Sequence, residues 1–526
     1  MAKIIFKLSS LGRYLSTIRA HFLGLDCELY WSAMIRRTAA FLVCSGISVA
    51  ADNWPQFRGP EGKGIGDDST KPPVEFGPSK GLLWKKAMSE GHSSPCVWGD
   101  QIFLTAFEKS GNKLHVIALK RSDGSELWRR TVVPKKLEKP HPVSNPAAST
   151  PVTDGKSVYA YFGSHGLVAY AMDGKPKWET TLPVAEAAYG AATSPVLANG
   201  LVIIGRDYGK KPELLAFSQE TGKSVWRTEL SPATTPGPQT SHATPVVFRD
   251  QVVLHRPGQL AAYSLKDGER QWWITLQSQG TSTPVVAGDT IYVAAFFNWG
   301  EPELVPKFPS HSELLAKYDK NEDGKLSKEE IADKLYVIER PGVPETIEGA
   351  NVKLSRFWSF IDANKNDVLD PSELDGLTTM TKMMGSRQHG LTAVKPEGTG
   401  DITATAVKWV ERKNIPEVPA PLYYQGRVYM VMNGGVLTCM DASTGKVLHR
   451  ARVDAPGAYF SAPVAADGRV YVASAEGVIT VLKDGESPTI LTHNDLGDPI
   501  YATPALIGST MYVRSANALW AFRSGK

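Results

Sequence analysis

Cysteine is scarce. The chain has four in 526 residues, and none stands in a C-x-x-C pair, so neither a disulfide framework nor a zinc site of that spacing is on offer. No apolar run is long enough to span a bilayer; residues 38–49 come nearest and fall short. Charge of one sign is missing too. The formal net charge is +4. Within residues 1–50 lie Lys3, Lys7, Arg13, Arg19, Arg36 and Arg37 against Asp26 and Glu28, which accounts for the excess. The neutral remainder argues against nucleic acid as the partner. Acyl-transfer chemistry also finds no support, because neither a nucleophile elbow nor a triad is read.

The N-terminus carries an address. Met34-Ile35-Arg36-Arg37 is a short basic stretch, residues 38–49 are apolar, and Ser48-Val49-Ala50 places small residues where signal peptidase cuts. Residues 1–51 are therefore assigned to an upstream extension and a signal peptide. The signal proper is 34–51, and Met34 is the alternative start. The expectation is an exported protein, periplasmic or extracellular, with no transmembrane span in the mature chain. Cleavage leaves Cys96 and Cys439, in different repeats, as two buried thiols rather than a disulfide. Residues 52–79 follow as an irregular lead-in that opens Trp54-Pro55-Gln56-Phe57-Arg58-Gly59-Pro60.

What the chain does have is a repeat. A small residue, Pro, a short apolar run, a Gly- or Asp-bearing turn and a second apolar run recur eight times, at Pro95, Pro151, Pro195, Pro245, Pro284, Pro421, Pro463 and Pro504. Each copy reads as strand, tight turn, strand. A second half follows, as in Ala216-Phe217-Ser218-Gln219-Glu220-Thr221-Gly222-Lys223-Ser224-Val225-Trp226. In four repeats a Trp (Trp128, Trp178, Trp226, Trp272) stands four residues after a turn Gly (Gly124, Gly174, Gly222, Gly268). That spacing presents the Trp to the interface between neighbouring units as a packing residue. Each repeat is thus four strands, and a four-stranded unit of about 40–45 residues is a propeller blade. These residues resemble the pyrroloquinoline-quinone (PQQ)-like β-propeller family, whose repeat runs A-x-D-x-x-T-G-x-x-x-W. The expected fold is all-β: an eight-bladed propeller over 80–298 and 389–526. Residues 82–85 are expected to supply the last strand of the last blade and so remove an open sheet edge.

One interval is too long. From Pro284 to Pro421 is 137 residues, about 95 beyond a blade. The excess, 299–388, falls between the second and third strands of blade 5 and changes to helical spacing. Within it, Asp319, Asn321, Asp323, Gly324, Lys325, Ser327 and Glu330 match the twelve-residue EF-hand loop. Calcium takes six to eight hard oxygens from such a loop, with Lys325 giving its carbonyl and Glu330 two oxygens. A second loop offers Asp362, Asn364, Asn366, the Val368 carbonyl, Asp370 and Glu373. It departs from the pattern at Asp367, where the family has Gly and where Asp bears a left-handed backbone at some cost. An inserted α-helical EF-hand pair holding Ca²⁺ is expected.

The loops that lead into each inner strand carry His92, Asn145, Tyr189, Gln239 and His242, which are expected to ring one channel mouth. Two functions stay open. One is a monomeric, non-catalytic scaffold for an envelope protein or glycan, similar to the BamB-type outer-membrane assembly factors. The other is a PQQ-dependent dehydrogenase of alcohols or sugars. Resemblance to that family implies a disulfide between adjacent cysteines, which is absent here, along with an Asp base and a Trp floor. The lead-in, propeller and EF-hand insert together also resemble secreted propeller proteins of planctomycete-type bacteria. Sharing a fold transfers no activity.

Overall fold

The computed structural model describes residues 53–524 apart from 140, 142, 188, 232–239, 298–307, 340–350, 385–388 and 456. The segment read as a signal peptide lies outside the described residues. Eight blades of four antiparallel strands follow one another along the chain, and the sheet of blade 4 gains a fifth, parallel strand. Blade 1 is Cys96–Trp98, Gln101–Glu108, Lys113–Lys120 and Glu126–Val132. Blade 5 is Val285–Ala287, Thr290–Ala295, Gly390–Val394 and Val407–Glu411, so 94 residues of insert stand between its second and third strands. Blade 8 is Ala505–Ile507, Thr510–Arg514 and Ala518–Arg523, completed by Leu82–Ala87 from the start of the chain. That pairing closes the ring.

The strand pattern follows from burial. Second and third strands are covered on both faces and read as continuous apolar runs, as in Ser157–Phe162. Fourth strands are half exposed and bury mainly their Trp, as in Ser224–Glu229. The inner strands are short because Pro precedes them and a tight turn ends them.

Two belts join the blades. In the outer belt each Trp docks on the turn of the next blade. Trp128 Nε1 donates to the Met172 carbonyl at 2.8 Å, Trp178 to Gln219 at 2.9 Å, Trp226 to Leu265 at 3.1 Å and Trp84 to Arg121 at 3.1 Å. The turn glycine lies flat against the ring. Gly222 has φ +68°, and a Cβ there would stand 2.5 Å from the Trp178 indole. Trp272 is the exception: it bonds Gln251 of its own blade, because the outer edge of blade 4 is covered by Gly400–Asp401, which pairs with it in parallel.

The inner belt is made by the residue before each Pro. Ser94 N donates to Thr150 Oγ1, Thr150 N to Ser194 Oγ, Ser194 N to Thr244 Oγ1, Thr244 N to Thr283 Oγ1 and Thr503 N to Ser94 Oγ, at 2.9–3.1 Å. This is why the repeat carries a small hydroxyl residue at that position: it satisfies a buried amide of the neighbouring blade. Blades 6 and 7 have Ala420 and Ala462 instead: Ala462 N still donates to Thr503 Oγ1 at 3.1 Å, but neither alanine can accept, so the belt is broken on either side of blade 6.

The two faces of the ring differ. The turns between first and second strands lie on one, the turn face; the loops leading into the inner strands lie on the other, the loop face. The lead-in crosses the turn face. Trp54 pairs with Val97 of blade 1 in both directions, Pro55 accepts from Thr153 of blade 2, and residues 64 and 66 pair with Ala465 of blade 7. Arg58 is fully buried and donates to the carbonyls of Lys63 and Pro421, beside the break in the inner belt.

The insert forms helices α1 (His311–Tyr318), α2 (Lys328–Ile331), α3 (Trp358–Ile361) and α4 (Pro371–Met384). Leu314, Leu326, Ile331, Leu354, Trp358 and Leu369 bury together as its own core, with Phe297 from the end of blade 5. No helix among the described residues is long and apolar enough to cross a membrane.

Candidate functional site

Three places on the molecule could carry function: the insert loops, the loop-face mouth and a cavity on the turn face. The two insert loops lie back to back. Leu369 N donates to the Leu326 carbonyl at 2.8 Å and Lys328 N to Asp367 at 2.9 Å, and Ser327 bridges Val368. Each loop is wound around its own side-chain oxygens in the same way. Asp323 N and Gly324 N donate to the two oxygens of Asp319, and Lys325 N to Asp323 Oδ1. In the second loop Asn366 N and Asp367 N donate to those of Asp362, and Val368 N to Asn366 Oδ1. The closing glutamates match as well. Glu330 accepts from the Lys320 and Ser327 amides, Glu373 from those of Ala363 and Asp370.

These amides hold the Glu330 carboxyl below its ordinary range. Gly324 has φ +76° and Asp367, at the same position of its loop, +55°, so the aspartate does adopt the left-handed backbone its position demands. The donors are hard oxygens throughout, which suits calcium. Among the described residues, no three His, Cys, Asp or Glu side chains are gathered as a metal cluster; the acids here are turned onto loop amides instead.

On the loop face the expected mouth residues fall into separate groups. His92 stacks on Tyr501 with centroids 4.5 Å apart, and burial with the nearby Arg514 pulls its pKa down to about 4. Tyr189 meets His242 edge-on at 5.9 Å and His141 at 4.4 Å. Asn145 is buried, and its side-chain amide reaches Glu90 at 3.5 Å. Gln239 lies outside the described residues.

Beneath these, the charged and polar groups are occupied with one another. Arg256 and Asp207, both buried, form a two-pronged ion pair at 2.8 and 3.0 Å across blades 3 and 4. His255 sits between Ser278 Oγ and the Ser282 carbonyl, 2.7 Å from each, and burial keeps it neutral with a pKa near 4. Glu138 is buried with one oxygen accepting from Ala191 N at 2.9 Å and the other without a partner among the described residues. Burial pushes its carboxyl up to about 7.

One spacing was passed over in the sequence. Gly77-Pro78-Ser79-Lys80-Gly81 has the G-x-S-x-G form of a nucleophile elbow. It is a tight turn of the lead-in, with Gly77 and Lys80 bonded to each other in both directions, and an outer strand, not a helix, follows it. Ser79 has no elbow geometry.

The cavity was not foreseen. About 570 Å³ opens on the turn face between the lead-in and the inner strands of blades 2 to 5, with Phe57, Trp98, Leu197, Val247 and Val286 among its walls. Its signal in the sequence was weak, because the same apolar residues serve as core in the covered blades.

The disulfide between adjacent cysteines that the quinoprotein resemblance implies is absent among the described residues. Cys96 and Cys439 are buried, unpaired and in different blades. Trp84, Trp128, Trp178, Trp226 and Trp409 are held at blade interfaces by their Nε1 bonds.

A family profile described as outer membrane protein assembly factor BamB matches residues 77–209, 112–301 and 390–491. No curated protein matches the chain. Among solved structures, BamB from Moraxella catarrhalis is 12% identical, covers 84% of this chain and 99% of its own, and has a TM-score of 0.47. A europium-containing methanol dehydrogenase is 11% identical, with coverages of 90% and 98% and a TM-score of 0.52. A quinohemoprotein alcohol dehydrogenase from Comamonas testosteroni is 12% identical, with coverages of 92% and 82% and a TM-score of 0.49. At 11% identity the likeness to the methanol dehydrogenase is one of fold alone.

Proposed function

From the premise that this chain belongs to the family of the outer membrane protein assembly factor BamB, whose profile matches more than half of its length, we propose that it is an exported calcium-binding propeller. It acts as a non-catalytic scaffold for a protein or glycan of the cell envelope. The observation that carries this reading is the state of the polar groups inside the ring. Arg256 is bonded to Asp207, and His255 to Ser278 and Ser282. Bonded in this way they act as struts that hold loops rigid, which is what a binding platform needs.

Calcium is proposed in the two insert loops. The first would use Asp319, Asn321, Asp323, the Lys325 carbonyl, Ser327 and Glu330. The second would use Asp362, Asn364, Asn366, the Val368 carbonyl, Asp370 and Glu373. The support is their equivalent winding and all-oxygen donor sets. Extracytoplasmic calcium modules bind at about 10⁻⁴–10⁻³ M, so calcium here would stabilise rather than signal.

The test has two arms. Calorimetry of the purified mature protein with calcium should show binding that Glu330→Gln and Glu373→Gln each reduce; no heat at millimolar calcium removes the metal. Spectral titration with PQQ, followed by dye-linked oxidation of alcohols and sugars, should be flat, while the protein used as bait should retain an envelope protein or glycan. A saturable quinone shift with turnover would replace the scaffold by a dehydrogenase.

A further inference from the structure

The lead-in shows how the inner ring captures chain. In blade 1 the middle residue of the inner strand, Val97, exchanges both backbone hydrogen bonds with Trp54, at 2.7 and 2.8 Å. In blade 2 the equivalent residue, Thr153, donates to the Pro55 carbonyl at 2.9 Å. In blade 7 Ala465 accepts from Gly66 and donates to Gly64, at 2.8 and 2.9 Å. The same position in three blades therefore turns its backbone toward the channel, and an extended segment pairs with it.

In blades 3, 4 and 5 that position is Leu197, Val247 and Val286. All three line the 570 Å³ cavity, and each inner strand is the end strand of its sheet. Exposure separates the two sectors. Val97 and Ala465 are at 0% and Thr153 at 2%, whereas Val247 is at 37% and Leu197 and Val286 are partly open. The charged groups on the cavity wall are engaged at home. Glu61 pairs with Lys63 at 2.7 Å, Asp154 accepts from the amides of Lys156 and Ser157, and Arg249 lies over the Phe248 ring.

We propose that the arc of blades 3 to 5, whose Leu197, Val247 and Val286 pair with no segment beyond their own sheets among the described residues, binds an extended, uncharged apolar peptide segment of a partner protein, which pairs its backbone with these three residues and continues the arc that Trp54 and Pro55 begin. Main-chain pairing supplies the affinity and the cavity the side-chain preference, as in strand addition to any open edge. Continuity with the lead-in's own pairing argues for a peptide over a small apolar molecule, and the engaged rim charges argue for an uncharged one. This rests on the binding reading above and assigns it a site.

The experiment is retention of a mixture of acetyl-Thr-X-Y-X-Thr-amide peptides (X Val, Ile or Leu; Y Phe, Tyr, Trp or Leu) on the full-length protein, followed by calorimetry with the best binder. Binding should weaken at least tenfold with Val247→Glu, which alters an exposed side chain and should leave the melting temperature unchanged. Val247→Thr should bind like wild type. The best peptide N-methylated at alternate residues should lose at least tenfold.

Retention of no peptide at millimolar concentration overturns the proposal. So does equal binding to Val247→Glu, or equal binding of the N-methylated peptide, which would mark a pocket for a small apolar ligand. If Val247→Glu still captures the envelope partner of the wild-type protein, the scaffold reading survives and this site does not.

Discussion

The ring and its insert are held together in opposite ways. A blade takes its stability from its neighbour. Its Trp is anchored on the next blade's turn, and an amide of one blade is satisfied by the hydroxyl before the next blade's Pro. An insert loop is wound around its own carboxylates and leans on its twin and on the small core of the insert itself. The difference teaches that a fault in the ring is felt by two blades at once, whereas a fault in a loop stays local and depends on what the solvent supplies. Solenoid-like arrays behave in the first way, with stability set by interfaces.

Breaking the ring should therefore cost most. Asp207→Ala leaves Arg256 buried without its anion and is expected to lose about 3–5 kcal/mol, measured by denaturant unfolding; a loss near zero would mean that the loop face rearranges freely. Gly222→Ala puts a methyl against the Trp178 indole at φ +68° and should lose about 1–3 kcal/mol. The same change at Gly200, where a Cβ would meet nothing within 4 Å, isolates the backbone part of that loss.

Calcium sharpens the contrast from the other side. At tenfold excess over its dissociation constant it should add about 1.4 kcal/mol. Hydrogen exchange should slow in α1 to α4 and hardly at all in the blades; uniform slowing would mean that the insert and ring unfold as one. Thr244→Ala opens one more link of the inner belt and should cost about 1 kcal/mol.

The ring also carries a pH effect opposite in sign to that of the loops, where Glu330 is held low and its contribution is lost on acidification. The Glu138 carboxyl is raised from 4.5 to about 7 by burial, so the folded protein binds that proton more tightly than the unfolded chain. Stability from this group is present at acid pH and is lost as pH rises from about 4.5 through about 7. Glu138→Gln should flatten that part of the stability profile, and an unchanged slope would remove Glu138 as its source.

Much of this was legible before any coordinates. The Pro-to-Pro spacing, the Trp four residues after Gly, and the unmatched strands at the two ends of the chain specified blade number, strand number and ring closure. They could do so because each is a local rule repeated eight times. The insert was visible as a change of period inside one interval. Its loop donors stood at set positions along twelve residues, since a wrapped loop is itself a local object.

What the repeat did not disclose was the partner of each recurring feature across the blade boundary. The hydroxyl before Pro looked like a small residue in a turn, and its acceptor role appears only when the neighbouring amide is in place. The mouth residues looked alike in sequence, yet the fold buries Asn145, stacks His92 on Tyr501 and sets Tyr189 against His242. Leu197, Val247 and Val286 occupy the same repeat position as Val97, and no local pattern tells them apart. Sequence determined the blades because strand, turn and Trp spacing act within about forty residues. Only the tertiary structure decided which blades the lead-in covers and which it leaves open, because that depends on how far one irregular segment reaches across a closed ring.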